Sequence, residues 1–382
     1  MNIFIFFLFG LNVIFCKNNS FNFIEEEFKK FLIKYNKTYS IKEEYLKRLN
    51  LFNSSFYRII KHNNNNNDSF ELGINYFSDL TEEEINQYKF KERNIIFPNA
   101  SLAIEYNDND IDKEKINIPE SYDYYRENNM INEIKTQGHC GSCVVFSIVS
   151  LIETYYARKK QIKDKKKLKK FSEQQIMDCL YNGKKNICID WTSEEDVLEY
   201  IIKNGLMESF YYPYVSGEQS EVIFNCKYKK NLVNKISKIP GYKKIIKPKI
   251  NNIKKYIIKY GPVSTRISAC RIVMDYKNGI MSFSKDQCSP ENMDHSVNII
   301  GWGKDKETSK NYWIIRNSWS KDWGIQGYGY VEMGKNIIGI ENEIYFIYSN
   351  QFNIWEINIY KIIFFISIIA LLIFLIYKII KC

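Results

Sequence analysis

The chain has 382 residues, 45% hydrophobic, with 29 Tyr and 25 Phe, which is core material for one large or two modest domains and excludes an aromatic-poor disordered chain. A formal charge of +10, from 54 Lys and Arg against 44 Asp and Glu, gives weak affinity for anionic surfaces. The densest basic run, Lys163 to Lys170, lacks the further basic and stacking aromatic side chains of a nucleic-acid patch and reads as a solvated loop.

In chain order, Ile3 to Phe15 is apolar apart from Gly10 and Asn12 and is followed by polar residues from Lys17, so residues 1–16 read as a secretory signal peptide, although no Lys or Arg precedes the run. Within residues 20–100, Phe28 to Tyr35 form one amphipathic segment. Glu44, Arg48, Phe52, Ser55, Ile59 and Asn63 recur at three- and four-residue steps and line one face of a second helix. Residues 101–117 close a polar, acidic stretch from Phe97 to Asn117 and read as an exposed activation and cleavage segment. Five glycosylation sequons, at Asn18, Asn36, Asn53, Asn67 and Asn99, all precede Ile118.

Two glycines punctuate Gln137-Gly-His-Cys-Gly-Ser-Cys143, after which apolar residues from Val144 to Tyr155 follow at helical spacing. Cys143 therefore falls in the first turn of a helix, where the positive end of the dipole favours a thiolate, and an adjacent imidazolium would lower its pKa further. Leaving aside Cys16 and Cys382, seven cysteines remain, which implies three disulfides and one free thiol. Cys140-Gly-Ser-Cys143 has the spacing of a redox pair but no partner pair for zinc, so no metal or cofactor is implied. Downstream, Ser172 and Gln175 predict a capping box.

The chain holds three histidines. His62 lies in an Asn-rich stretch, and His139 shares the loop of Cys143 and reads as lining a cleft. His295 opens a strand-like run that ends in Gly301-Trp302-Gly303. Asn317 follows a second strand, Tyr312 to Arg316. An Asn amide can hold one imidazole nitrogen and leave the other facing a thiol. Near the C-terminus, Ile362 to Tyr377 is a run of 16 uncharged residues flanked by Lys361, Lys378 and Lys381. With its apolar neighbours it predicts a membrane helix over 360–380 with the basic end inside, and a GPI signal is the competing reading.

These motifs together resemble the papain and cathepsin family of cysteine proteases over roughly residues 20 to 348. The resemblance implies an α+β, two-lobed papain-like catalytic domain over 118–348, with a helical lobe carrying Cys143 and a β-barrel-like lobe carrying His295 and Asn317. A small helical prodomain precedes it. Cys143 would be the nucleophile, His295 the base and acid, Asn317 the orienting amide and Gln137 the oxyanion donor, while Trp319 would shield the His–Asn bond from water. Ile118 to Tyr124 resembles the family's mature start. The stepped residues of the second helix resemble the ERFNIN motif, with Ser55 in place of its first Asn, and Gly73 to Asp79 resembles the companion GNFD motif; both imply a propeptide that inhibits its own enzyme.

Disulfides carried over are Cys140–Cys188 and Cys179–Cys226. Ile338 stands where the family's third bridge has a cysteine, which leaves Cys270 for Cys288. Trp191 replaces a glycine in the outer subsites, Val144 replaces the usual Trp, and Arg266, Met293 and Glu343 align with the pocket for the substrate's second residue. Arg266 and Glu343 either neutralise each other or select a charged side chain there.

With no histidine pair between Cys188 and Cys226 to form an occluding loop, the expectation is an endopeptidase acting on proteins or peptides. Transpeptidation by the same acyl-enzyme is not distinguished. A reading from another class is a membrane-surface binding protein that keeps the fold but has drifted from catalysis. The expected location is the secretory pathway, as a single-pass type I protein with its catalytic domain in a lysosome-like or digestive vacuole or at the cell surface.

Overall fold

A helix over residues 23–34 (α1) and the helix Lys42–Asn63 (α2) cross through an aromatic cluster of Phe28, Phe31 and Phe52. Their ring centroids lie 5.0 to 5.9 Å apart, and burying each such ring contributes about 1.5–3 kcal/mol. The computed structural model describes residues 23–65, 68–89, 108–181, 184–190, 192–218, 225–234 and 237–348. The expected signal peptide, the span at 360–380 and Trp191 lie outside the described residues. Among the described residues no helix is long and apolar enough to cross a membrane. The chain divides after Ile347, and every element named below lies in the unit up to that residue.

The polar stepped residues of α2 are all paired. The Arg48 guanidinium spans both carboxylate oxygens of Glu84, each at 2.5 Å, and also meets Glu44. Asn63 pairs with the backbone of Leu72 in both directions at 2.9 Å, fixing the strand Phe70–Leu72 (β1). That strand joins the strand Tyr276–Met281 (called β5 in the sheet described below) antiparallel, with Phe70 opposite Gly279. Gly279 has φ +84°, and a Cβ there would lie 2.5 Å from the Ser69 carbonyl oxygen, so a side chain would push the prodomain strand off the sheet.

In the body, Tyr122–Asp123 (β2) precedes three helices: Cys143–Lys160 (α4), Glu173–Cys179 (α5) and Glu194–Asn204 (α6). The label α3 belongs to the short helix Asn109–Asp112. Helix α4 is buried on all sides from Cys143 to Ala157, and its polar side chains are paired, Ser147 with Ser264, Ser150 with Arg316 and Glu153 with Asn132 and Lys135. Ser172 caps α5 by accepting from the Gln175 N–H at 2.9 Å. The reciprocal half of the predicted capping box does not form, because the Gln175 side chain binds the Met207 N–H at 2.7 Å and the Gly205 carbonyl at 2.9 Å.

Beyond them lie the strand Tyr242–Ile246 (β3), the helix Ile250–Tyr260 (α7), and strands Val263–Ile267 (β4), β5, His295–Lys304 (β6), Asn311–Arg316 (β7), Tyr328–Glu332 (β8) and Glu343–Ile347 (β9). The sheet order is β1-β5-β8-β7-β6-β4-β9-β3, with β2 on β6, a path whose ends are β1 and β3 among the described residues. Among the described residues the disulfides are Cys140–Cys188, Cys179–Cys226 and Cys270–Cys288, and the free cysteine is Cys143.

The stretch before Ile118 is not simply exposed. Helix α3 lies on α7, and Ile111 is completely buried. Asp110, Asp112, Lys113, Lys115 and Asn117 are exposed as the sequence suggests, whereas Ile111 is held down by lysines at and beside α7 whose counter-charges no local pattern announces.

Candidate active site

Helix α4 begins at Cys143, strand β6 begins at His295, and Asn317 follows β7, the antiparallel neighbour of β6. Three separate segments thus end at one place. Two contacts fasten them: the Gln137 N–H donates to the Ser318 carbonyl at 2.9 Å, and Thr136 bridges Trp319. Gly138, at φ +58°, makes the turn between Gln137 and the helix; a Cβ there would lie 2.4 Å from the Gly217 carbonyl oxygen.

The imidazole of His295 is fully buried, and its Nε2 lies 2.8 Å from Asn317 Oδ1. That oxygen also accepts from the Ser318 backbone N–H at 2.8 Å. A backbone N–H can only donate, so the shared atom is an oxygen and His295 Nε2 carries the proton. Nδ1 is left as the basic nitrogen, and it is buried without a hydrogen-bond partner. The indole of Trp319 stacks on the imidazole at 4.2 Å and 26°, covering the His–Asn bond on that side.

The Cys143 thiol is also fully buried, and the N–H of Ser296, next to His295, points at its sulfur. Burial pushes this thiol up to about 12, against the help of that N–H. Burial likewise lowers His295 to about 3, with the Asn317 bond opposing and the nearby Lys89 ammonium adding to the effect. In this closed form burial disfavours the charge on both groups, against the helix dipole that acts within the first turn.

The cover is the prodomain. Gln137 Nε2 donates to the Tyr88 carbonyl at 3.0 Å and to the Cys140 carbonyl at 2.8 Å, while its Oε1 accepts from Ser318 Oγ at 2.7 Å. Phe77 packs edge-on against Trp319 at 5.3 Å. Lys89 pairs with Asp294 at 3.2 Å. His139 is held between two prodomain hydroxyls, Tyr76 on Nε2 and Tyr88 on Nδ1, each at 2.8 Å. Sequence reading missed these partners of His139, since tyrosines 51 and 63 residues away leave no local signal. The motif residues upstream anchor the cover: Asn75 Nδ2 donates to the Met274 carbonyl at 2.7 Å, and Asp79 pairs with Lys37 and accepts from Tyr39 at 2.7 Å.

Arg266 does not present a free charge. Its guanidinium grips Glu194 through two nitrogens and lies 3.3 Å from Glu343, which in turn pairs with Lys244 at 3.2 Å. Glu194 is fully buried and was not singled out from the sequence. Met293 is part-exposed, with its sulfur 3.3 Å from Asn342 Nδ2. Among the described residues no group of acidic, His or Cys side chains could hold a metal ion.

Comparison with known proteins agrees with this architecture. Residues 118–348 match the model of the Papain family cysteine proteases, and residues 28–85 match the Cathepsin propeptide inhibitor domain. Cysteine proteinase 1 of Dictyostelium discoideum is 29% identical over 363 residues, covering 90% of this chain and 98% of that protein. The viral cathepsin of Heliothis zea nuclear polyhedrosis virus is 33% identical over 329 residues, covering 83% of each. Among solved structures, a digestive procathepsin of Tenebrio molitor larval midgut superposes with a TM-score of 0.74 at 26% identity, over 85% of this chain and 100% of that one. The stem bromelain precursor gives 0.69 at 28% identity, over 86% and 99%.

Proposed function

Because this chain belongs to the papain family of cysteine proteases and carries the family's inhibitory propeptide, we propose that it is a membrane-anchored endopeptidase precursor that works through Cys143, His295 and Asn317. The observation that carries the reading is the orphaned Nδ1 of His295, left as the basic nitrogen by the Asn317 bond on Nε2, with the neighbouring Ser296 N–H on the thiol of Cys143, the free cysteine among the described residues. Once the cover leaves and water returns, the thiol proton passes to Nδ1, and the sulfur attacks the substrate carbonyl carbon. The oxygen takes the negative charge, stabilised by the Gln137 amide and the Cys143 N–H. His295 then protonates the leaving amine. The acyl-enzyme is opened by water that gives its proton back to the same nitrogen. In the precursor the Tyr88 carbonyl occupies the Gln137 amide, which keeps a substrate oxygen from it.

The membrane reading rests on the uncharged run Ile362 to Tyr377 and its flanking lysines. It goes with a type I orientation in the secretory pathway, the catalytic body facing a lysosome-like or digestive vacuole or the cell exterior. The three disulfides suit such an oxidising compartment. The assay is hydrolysis of internally quenched peptides by the acid-activated chain, with labelling by a thiol-directed epoxide. Cys143→Ala should remove both; labelling that persists in that variant would overturn the assignment.

A further inference from the structure

Residues before Ile118 lie on the body in a way that the covered active site does not require. Helix α7 and the residue that caps it present Lys249, Lys255 and Lys259 to one short acidic segment. Lys249 Nζ meets the Asp112 carboxylate at 2.6 Å, and its N–H meets Asp108 Oδ2 at 2.9 Å. Lys255 Nζ gathers the carbonyls of Ile111, Asp112 and Glu114 at 3.0 to 3.2 Å, closing the end of α3. Lys259 Nζ meets Glu114 Oε1 at 2.5 Å.

Two buried groups of α7 complete the contact. Asn252, with no exposed surface, donates to the Asp108 carbonyl at 2.9 Å, and the Tyr256 hydroxyl reaches Asp108 Oδ1 at 3.2 Å. Ile111 is fully buried against this face. None of these residues belongs to the cleft formed by Cys143, His295 and Gln137.

The chain leaves this contact through Lys115 and Asn117, both exposed, and the family match begins at Ile118. A cut in that exposed stretch separates α3 from the body and uncovers three lysines, a buried amide and the space of an isoleucine side chain. We propose that this face of α7 is a second peptide-binding site. It takes an acidic segment in which an aliphatic anchor lies between carboxylates, and in the precursor it is filled by residues 108–114. Charge complementarity supplies the attraction, which salt therefore weakens. The Ile111 side chain and the Asn252 bonds fix the register. On this reading, which rests on the proposed peptidase function, the matured enzyme holds acidic stretches of its protein substrates at a place separate from the scissile bond.

The test uses the full chain made inactive by Cys143→Ala, so that it is not processed. In that background, Asp108→Asn with Ile111→Ser, Asp112→Asn and Glu114→Gln weakens the filling in cis. A fluorescent peptide of residues 105–117 should bind this variant with micromolar affinity, at least tenfold tighter than it binds the Cys143→Ala chain alone. Binding should fall at least tenfold between 50 and 500 mM salt and disappear when Lys255→Ala and Lys259→Ala are added. Absence of binding to the opened variant, or equal binding of a peptide whose acids are replaced by amides, would overturn the proposal. Circular dichroism and the melting midpoint of each variant separate lost binding from lost folding.

Discussion

Phe77→Ala tests how the cover is held. The ring is 2% exposed and packs edge-on against Tyr88 at 4.9 Å, Trp319 at 5.3 Å and Tyr76 at 6.2 Å. Truncating such a buried Phe costs about 3–5 kcal/mol. Two of the three aromatic neighbours lie in the prodomain itself, so about a third of that, roughly 1–1.7 kcal/mol, falls on the closed form. At 1.4 kcal/mol per tenfold change, the open fraction should rise about 5- to 16-fold. The assay is the rate at which a thiol-directed epoxide labels Cys143 in the full precursor at pH 7, where labelling requires opening. Phe77→Leu should lie between wild type and Phe77→Ala. A Phe77→Ala precursor that keeps its circular dichroism yet labels within threefold of wild type would refute the reasoning.

Gln137→Ala should lower kcat of the activated enzyme about 10²–10³-fold while Cys143 remains labelled, and a loss under fivefold would remove Gln137 from the oxyanion role. The closed form should also open on acidification. His295 is held near 3 against an ordinary value of 6.5, so between those values the open form binds the extra proton. The closed form is then fully favoured above pH 6.5 and loses about 1.4 kcal/mol per unit as pH falls toward 3. Hydrogen exchange of prodomain amides against pH should show this slope, and His295→Gln should reduce it by about one proton; an unchanged slope would contradict the account. Arg266→Leu should destabilise the protein by about 3–5 kcal/mol because it strands the buried Glu194. Adding Glu194→Leu should restore most of the melting temperature, and a double variant no more stable than the single one would show that the pair is not what holds that region.

What could be read from the sequence was what repeats locally or sits in a short motif. The faces of α2 and α4, the Gln137–Cys143 turn and the start of β6 at His295 all follow from spacing over a few residues. What could not be read were partners distant in the chain: Glu194 for Arg266, 72 residues away, Asp108 for α7, 141 to 148 residues away, and the tyrosines around His139. Such pairs carry no period, and their existence depends on which surfaces the fold brings together. The burial of Cys143 and His295 was illegible for a related reason. Sequence shows the helix start that favours the thiolate, but the depth of burial is set by a prodomain folded over it.

The pairing of β1 with β5 carries a hazard for the molecule once its propeptide is gone. In the precursor, Phe70 to Leu72 occupy the outer hydrogen-bonding side of Tyr276 to Met281. Removal leaves a row of unmatched amides at a sheet edge, open to extended chains from other molecules and so to aggregation. The residues on that strand bear on the outcome: Lys277 and Asn278 are exposed, and Gly279 at its left-handed φ breaks the regular pleat. A charged and interrupted edge of this kind resists uncontrolled strand addition, so the matured protease would depend on Lys277 and Gly279 to remain monodisperse.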